Sequence, residues 1–317
     1  MTYRKTLAFG AAAFLLAGTG AAQAGYSVQL VTNPLDPANT MLLGINNSDL
    51  IAGSTTSTGF TLTLPNSFTP QAAPAGATSL TTVGINGAGS TDGFYVDAAG
   101  TTNGYTNIGG VFTGTVNRPG TAFNQLLGIN NSNTLVGYSS TDAGGAILQQ
   151  AYSRSASGII TDINAKLPLN VNSQATGINN AGKVVGFYMP TATTSIGFLD
   201  VGGIISAIDP FGSTSTQALG ISNTDEIVGF YNDAGGVTHG YTDIGGSFAN
   251  FDIAGALSTT INGVNDKGQL VGFATIGNNP TIGDSVEGFV ATPTPEPASL
   301  VLLASGVLGL GLLRRRK

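Results

Sequence analysis

The stretch Gly177–Gly186 reads GINNAGKVVG and decides the fold of this chain. It places two glycines nine residues apart, with an Asn-x-Gly sequence between two short apolar segments. Asn followed closely by Gly favours a type I turn that ends in a left-handed residue, so the stretch predicts a tight β-hairpin. Antiparallel pairing would place Gly177 opposite Gly186 or one residue away. Because glycine weakens a strand, bare backbones meeting across this ladder indicate close approach of a neighbouring part of the chain.

The same pair of glycines recurs six times along the chain. The second glycine always follows nine residues after the first, and the copies begin at Gly44, Gly84, Gly128, Gly177, Gly220 and Gly263. A third segment in each copy carries Gly or Ala before an aromatic residue, as in Gly197-Phe198, and several copies show a fourth apolar segment. Four short strands in a repeat of ~40–45 residues are typical of a β-propeller blade.

The phase of the repeat predicts how the array closes. The segment from Tyr26 to Pro34 resembles a fourth strand but precedes the first repeat, whereas the last repeat ends after its third strand at Gly288-Phe289-Val290. In a closed ring the early strand would complete the sixth blade and hide edges that an open array exposes. We therefore predict an all-β, six-bladed propeller of four-stranded blades over residues 25–291. An open solenoid and an irregular sandwich are the alternatives.

The first 24 residues have the order of a secretory signal peptide. Arg4 and Lys5 precede an apolar stretch from Leu7 to Ala17, and small residues end at Ala24. This order predicts export and cleavage after Ala24. The alternative is an N-terminal membrane anchor, but the apolar stretch is shorter than the ~20 residues that a spanning helix needs.

The C-terminal segment, residues 292–317, predicts a second targeting signal. Pro295, Glu296 and Pro297 are followed by sixteen uncharged residues and then by Arg314, Arg315, Arg316 and Lys317. A short apolar helix with a basic end predicts a transient inner-membrane anchor whose cations stay in the cytoplasm. These three features in order resemble the PEP-CTERM sorting signal of Gram-negative bacteria. The resemblance implies cleavage by a protease of the exosortase type and delivery to the cell surface or exopolysaccharide matrix; an unprocessed anchor is the alternative.

The charge distribution excludes nucleic acid as a partner. Residues 25–291 contain five Lys or Arg and sixteen Asp or Glu, a net charge of about -11. Phosphate backbones are bound by clustered cations, and the five here are scattered along the repeats. The chain also has no Cys, which excludes disulfides, thiolate metal sites and a cysteine nucleophile.

The repeat motif has a second resemblance. Gly-Ile-Asn-x-x-Gly-x-Val-Val-Gly followed by a small residue and an aromatic is similar to the bacterial extracellular repeats named HAF for a His-Ala-Phe signature. Here the histidine position is filled once, by His239, before Gly240-Tyr241. The resemblance implies an extracellular location and no particular reaction.

The sequence offers little for catalysis. His239 is the sole histidine, and unrelated residues fill its position in the other repeats, so we expect no catalytic role. Asp225-Glu226 are neighbours at a predicted turn, where acids are common. Asp97, Asp142 and Asp233 start Gly-containing loops that suggest calcium, but each loop offers one carboxylate where calcium gathers about 6–8 oxygens. We predict no catalytic residue, no metal site and no cofactor.

Asp92 is the one binding candidate. It stands just before Gly93, where the other repeats have apolar residues. A carboxylate in a buried strand must be hydrogen-bonded, hydrated or functionally engaged. The alternatives are a loose second blade or an Asp92 that faces a water-filled channel.

These features lead to a non-enzymatic hypothesis. We expect an exported surface or matrix protein with a binding or structural role, and surface polysaccharide as its partner, because the surface is rich in Thr, Ser, Asn and Gly. The alternative is a carbohydrate-active enzyme that uses Asp residues of the propeller channel. Ice or mineral adsorption would need regularly spaced Thr, whereas the Thr clusters here lie in loops of unequal length.

Overall fold

Antiparallel sheets of four strands surround one axis in this protein. The computed structural model describes residues 25–168, 171–210, 212–279 and 283–294. Within those residues the strands form six four-stranded sheets, and the first strands of the sheets contact one another in a closed cycle. This arrangement confirms the prediction of an all-β, six-bladed propeller.

Blades 1 to 5 are meanders whose strands pair in sequence order from the axis outward, and blade 6 has the order β22, β23, β24 and β1. Blades 1 to 3 contain β2 (Met41–Ile45), β3 (Leu50–Ser54), β4 (Gly59–Thr63), β5 (Ser67–Pro70), β6 (Ser79–Ile85), β7 (Thr91–Val96), β8 (Thr102–Ile108), β9 (Val111–Thr113), β10 (Phe123–Ile129), β11 (Leu135–Ser140), β12 (Gln150–Arg154) and β13 (Ile160–Asp162). Blades 4 to 6 contain β14 (Asn172–Ile178), β15 (Val184–Met189), β16 (Ile196–Val201), β17 (Ile204–Ile208), β18 (Ser215–Ile221), β19 (Glu226–Asn232), β20 (Thr238–Ile244), β21 (Ser247–Phe251), β22 (Ser258–Val264), β23 (Leu270–Asn279), β24 (Gly283–Pro293) and the early strand β1 (Tyr26–Val31). A 3-10 turn spans Asn164–Lys166.

The ring is closed by β1, as the phase of the repeat predicts. This strand pairs antiparallel with β24, from Tyr26 opposite Pro293 to Val31 opposite Gly288. It therefore supplies the outer strand of blade 6, and the first and last strands of the described chain lock the wheel. Val31 is buried, whereas the adjacent Leu30 is 43% exposed.

The hairpin turns confirm the predicted left-handed position. The residue three places after each Gly-Ile-Asn asparagine, or after the equivalent Ser222, has φ between 55° and 78°. The residues at this position are Asp49, Gly89, Asn133, Gly182, Asp225 and Gly268. Three of them are not glycine, because Asn and Asp tolerate the left-handed region better than other side chains do.

The structure confirms that Gly177 lies one residue away from Gly186 in the hairpin register, so the two glycines do not face each other directly. Gly177 pairs with Val185, and Ala175 pairs with Gly186, because a bulge in β14 inserts one residue between the two pairs. The first glycine instead meets the first glycine of the next blade: a Cβ added to Gly177 would lie 3.2 Å from Gly220 Cα. Close approach of neighbouring chain was therefore the right prediction, but it occurs between blades.

The second glycine of every repeat lies against the backbone of the first strand, and in four repeats it also makes room for the aromatic residue of the third strand. Gly186 pairs with Phe198, and a Cβ added to Gly186 would lie 2.7 Å from that ring. The aromatics at this position are among the largest fully buried side chains of the described residues: Phe60, Tyr105, Tyr152, Phe198, Tyr241 and Phe289. Each blade thus has one aromatic anchor whose burial stabilises it by about 1.5–3 kcal/mol.

The predicted signal peptide and the predicted C-terminal sorting signal lie outside the described residues. These are the signal segment of residues 1–24 and the tail that contains Pro295, Glu296, Pro297, Arg314, Arg315 and Arg316. In the part of the chain that the structure describes, no helix combines the length and the apolar character needed to cross a membrane.

Candidate functional site

Alternate side chains of the innermost strands point toward the axis of the propeller. Immediately after each first glycine comes an apolar residue, and together these residues form the floor ring: Ile45, Ile85, Ile129, Ile178, Ile221 and Val264. The floor ring borders two axial cavities, a larger one of about 380 Å³ and a smaller one of about 80 Å³ on the side of the hairpin turns. The channel is therefore divided by a layer of branched apolar side chains.

The larger cavity, the axial bowl, becomes more polar away from the floor ring. The residues just before the glycines form a wall ring of Leu43, Val83, Leu127, Thr176, Leu219 and Asn262. Met41, Thr81, Gln174 and Gln217 form the rim, and Phe94 and Phe187 also line the bowl. The volume lies within the range of about 300–1,000 Å³ found for small-molecule sites.

No Asp, Glu, His, Lys or Arg occurs among the bowl-lining residues of the described chain. The polar groups of the bowl are uncharged, and some already have protein partners. Thr176 donates its hydroxyl hydrogen bond to the carbonyl of Ala218 at 2.7 Å, and Gln174 donates to Gln149 Oε1 at 3.0 Å. The side-chain amide of Gln217 makes no hydrogen bond with other described residues. The bowl can offer hydrogen bonds and apolar surface, but it offers no group for acid–base chemistry.

The smaller cavity is lined by an amide ring built from the Asn of four Gly-Ile-Asn motifs and of Gly263-Val264-Asn265. In blade 3, Asn130 Oδ1 accepts hydrogen bonds from the backbone N–H groups of Ser132 and Thr134, both at 3.0 Å. Its Nδ2 donates to the carbonyl of Asn179 in the next blade at 3.1 Å. One side chain therefore fixes its own turn and joins two blades. The members of the amide ring are Asn46, Asn86, Asn130, Asn179 and Asn265.

Blade 5 interrupts the amide ring because it has Ser222 in place of asparagine. The Ser222 hydroxyl accepts from the backbone N–H of Glu226 at 3.1 Å and contacts Thr224 Oγ1 at 2.8 Å, so it stays within its own turn. Its side chain is too short to copy the interblade bond that Asn179 donates to the carbonyl of Ser222. Within the described residues the junction between blades 5 and 6 therefore lacks this side-chain link.

Restoring the missing amide should stabilise the propeller. We expect Ser222→Asn to raise the free energy of unfolding by about 0.5–1.5 kcal/mol, the net value of one hydrogen bond, by donating to the carbonyl of Asn265. The midpoint of thermal unfolding should rise by about 2–4 °C per kcal/mol. Ser48→Asn is the matched control, since Ser48 is exposed in the equivalent turn of blade 1. Equal midpoints for the two variants would contradict the prediction.

Asp92 lies in the wall between blades 2 and 3 and does not reach the bowl. It is 0% exposed, which contradicts the alternative that it faces a water-filled channel. Its Oδ1 accepts from the backbone N–H of Gly84 at 2.9 Å, while Oδ2 has no partner among the described residues. The equivalent residues of the next two blades, Val136 and Val185, are buried at the corresponding interblade positions. Burial raises the pKa of Asp92 to about 7, although the backbone N–H groups of Gly84 and Gly128 oppose the rise.

The raised pKa of Asp92 makes the stability of the protein depend on pH. Between the unfolded value of 3.8 and about 7 the folded protein binds the extra proton, so stability falls as the pH rises through that interval. The full shift corresponds to a loss of up to about 4 kcal/mol by pH 8. We expect Asp92→Asn to match the wild type near pH 4 and to unfold at a higher temperature at pH 8.

The control for this comparison is Asp209→Asn, because Asp209 is exposed. Thermal unfolding of the wild type, Asp92→Asn and Asp209→Asn is measured from pH 4 to pH 8. The unfolding midpoint of Asp209→Asn should follow that of the wild type, whereas the midpoint of Asp92→Asn should exceed it at pH 8. Parallel curves for the wild type and Asp92→Asn would show that Asp92 does not titrate with a raised pKa.

His239 belongs to a separate cluster on blade 5. Its Nδ1 lies 2.9 Å from Asp252 Oδ2, its Nε2 lies 3.4 Å from Asp233 Oδ2, and its ring stacks on Tyr231. Burial alone would lower the pKa of His239, but the hydrogen bonds and negative charges of Asp252 and Asp233 outweigh it, so the pKa is raised. The cluster is a surface ion-pair network and does not line the bowl.

The acidic loops take the turn role that their sequences favour over calcium. Asp97 Oδ1 accepts from the backbone N–H groups of Ala99 and Thr101, both at 2.9 Å. Asp233 does the same within its own loop. Asp225 lies in a hairpin turn and pairs with Lys183 at 2.6 Å, whereas Glu226 is buried. In the described residues no group of three His, Cys, Asp or Glu side chains could hold a metal ion.

Comparison with known proteins supports the predicted C-terminal sorting signal and the fold. Residues 293–317 match the profile of the PEP-CTERM protein-sorting motif. This short match indicates an exported protein that is sorted to the surface. A sequence search against curated proteins finds no match. The resemblance of the repeats to the HAF type stays a prediction.

Three solved structures match the chain at low sequence identity. A protein described as TolB from Agrobacterium tumefaciens is 13% identical, with a TM-score of 0.53 over 85% of this chain and 98% of that one. Virginiamycin B lyase from Staphylococcus aureus is 11% identical, with a TM-score of 0.47 over 85% and 100%. The fucose-specific lectin from Aleuria aurantia is 11% identical, with a TM-score of 0.43 over 87% and 98%. At such identities the likeness to the TolB structure supports the fold alone.

Proposed function

We propose that this chain is an exported, non-enzymatic binding protein of the cell surface or extracellular matrix, associated with exopolysaccharide. One observation carries the proposal: the closed ring holds an axial bowl with an uncharged lining, in a chain that ends in a surface-sorting motif. Such a bowl can hold a neutral ligand by apolar contact and a few hydrogen bonds. In this proposal the tail is cut by an exosortase-type protease after a transient stay in the inner membrane, and the repeats belong to the HAF type.

The enzymatic alternative finds no support in the bowl. Glycoside hydrolysis uses two carboxyl groups about 5–10 Å apart across a cleft, and none lines this cavity in the described residues. Asp92 is enclosed between two blades, where a sugar chain has no access. A glycan-panel turnover assay of the exported protein should therefore show no product. Turnover that is lost in Asp92→Asn would overturn the non-enzymatic proposal.

The sorting and binding parts of the proposal have separate tests. Fractionation and intact-mass measurement of the protein made by its own cells should show a surface or matrix form that lacks about 25 residues at each end, as a signal peptide and a sorting tail require. That form should be retained on the polysaccharide of the same cells and eluted by it. A protein that stays full-length in the inner membrane, or that flows through the polysaccharide column, would contradict the respective part.

A further inference from the structure

The axial bowl has a gradient of polarity along its depth, and this gradient restricts what can enter. The floor ring is made of Ile and Val alone, so it provides no side-chain hydrogen-bond donor or acceptor. Four of the six wall-ring residues are also apolar, whereas three of the four rim residues, Thr81, Gln174 and Gln217, are polar. A hydroxyl pressed onto the floor would lose its hydrogen bonds to water, at a cost of about 1–3 kcal/mol. The leading end of a ligand must therefore be hydrocarbon.

The sides of the bowl are unequal. Leu43, Val83 and Leu127 make an apolar arc over blades 1 to 3, with Phe94 beside it. On blades 4 to 6 the hydrogen-bonding side chains of Gln174, Gln217 and Asn262 lie beside the apolar Phe187 and Leu219. A ligand with a polar body can thus hydrogen-bond at the rim while its hydrocarbon end rests on the floor and the apolar arc.

The ligand must also be uncharged. No cation lines the bowl in the described residues to pair with a carboxylate, phosphate or sulfate. The repeat domain also carries about eleven net negative charges, which repel anions. An ammonium group would likewise lose its hydration without gaining a carboxylate partner.

The floor ring lies between the two axial cavities, and five of its six side chains are at most 9% exposed, so it closes the bowl. A polymer cannot thread through the wheel and must be bound by an end or by a side group. We propose that the bowl binds a neutral glycan through an aliphatic substituent, with the hydrocarbon on the floor ring and the sugar at the rim. This inference rests on the proposed function and names the chemistry of its ligand.

A series of alkyl glucosides tests the inference on the full exported protein. Calorimetric titration with methyl, butyl, hexyl and octyl glucoside, each below its micelle-forming concentration, should show affinity rising about fourfold per methylene. The rise should level off when the chain reaches the floor ring. Equal affinity for methyl and octyl glucoside would overturn the inference. So would octanoate binding as tightly as octyl glucoside.

Variants place the site within the bowl. Leu127→Gln should weaken octyl glucoside at least about tenfold by placing an amide in the apolar arc, and Gln217→Ala should weaken it about 2- to 10-fold through the sugar. Both side chains are only partly buried, so the fold should tolerate the changes. Val111→Gln is the control, since Val111 is 67% exposed on blade 2. Unchanged affinity in both bowl variants, with intact unfolding midpoints, would overturn the placement.

A further arm separates the sources of the aliphatic group. Octan-1-ol should bind more weakly than octyl glucoside, because it lacks the sugar that meets the rim. Equal affinity would assign the site to a free lipid chain and overturn the glycan part. Retention on polysaccharide without any alkyl-chain dependence would sink this inference alone. Alkyl-chain dependence without polysaccharide retention would keep the bowl chemistry and reject the proposed partner.

Discussion

A chain from which residues 25–32 have been removed is expected to be insoluble or aggregated instead of forming a folded monomer. Without β1, the last blade has three strands and β24 becomes an exposed edge with unpaired backbone groups. The buried face that Val31 shares with Leu42, Phe60 and Val290 also opens to water. Size-exclusion chromatography and far-ultraviolet circular dichroism of the truncated protein check this expectation.

Two point variants in β1 separate loss of closure from the effects of truncation. Val31→Asp places a charge in a buried cluster and should cost about 4 kcal/mol or more of unfolding free energy, roughly 8–16 °C in the unfolding midpoint. Leu30→Asp changes the neighbouring residue, which is 43% exposed, and should stay within about 0.5 kcal/mol of the wild type. Similar midpoints for the two variants, or a soluble truncated monomer, would contradict the role of β1 as the closing strand.

The second large effect is expected from adding one methyl group at Gly229. The new Cβ would overlap the carbonyl oxygen of Gln217 and would lie 3.0 Å from Gln217 C and 3.1 Å from Ala218 Cα. These atoms are backbone atoms of β18, so no side chain can rotate away. Gly229→Ala should therefore cost about 3 kcal/mol, the upper range for overpacking, and lower the unfolding midpoint by roughly 6–12 °C.

The matched control for this substitution is Gly144→Ala. A Cβ at Gly144 would have Asp142 Oδ2 as its nearest neighbour at 3.5 Å, which is an ordinary contact. Thermal unfolding should place this control within about 0.5 kcal/mol of the wild type. A Gly229→Ala protein as stable as the control would show that β18 and β19 can separate at no cost.

Much of the architecture follows from the spacing of glycines in the sequence. The invariant interval from Gly177 to Gly186 is needed because one glycine contacts the next blade and the other makes room for Phe198. A repeat with such constraints can be counted from the sequence, and its phase shows where the ring closes. The bulge in β14 could not be predicted, because the sequence interval between the two glycines does not show which residue of the strand is left unpaired.

The axial bowl could not be recognised from the sequence, because the residues that line it differ from repeat to repeat. Its wall ring occupies the position before each first glycine, where Leu127, Thr176 and Asn262 have little in common. Their alternation with the buried residues of the innermost strands is the signal that could have found them. The asparagine of Gly-Ile-Asn was visible as a turn residue, but its bond to the next blade depends on the closed ring. Asp92 was singled out correctly as unusual, although its enclosure between blades depends on packing that no single repeat reveals.

The pairing of β1 with β24 also sets an order of events for a chain that leaves the cytoplasm from its N-terminus. Val31 emerges first, yet its partner Gly288 arrives only after the other blades have crossed. Until then the leading segment remains unpaired and open to proteases and to pairing with other chains. The partner strand β24 ends at Pro293, where the sorting motif starts. The ring can therefore close only when the sorting motif itself reaches the membrane.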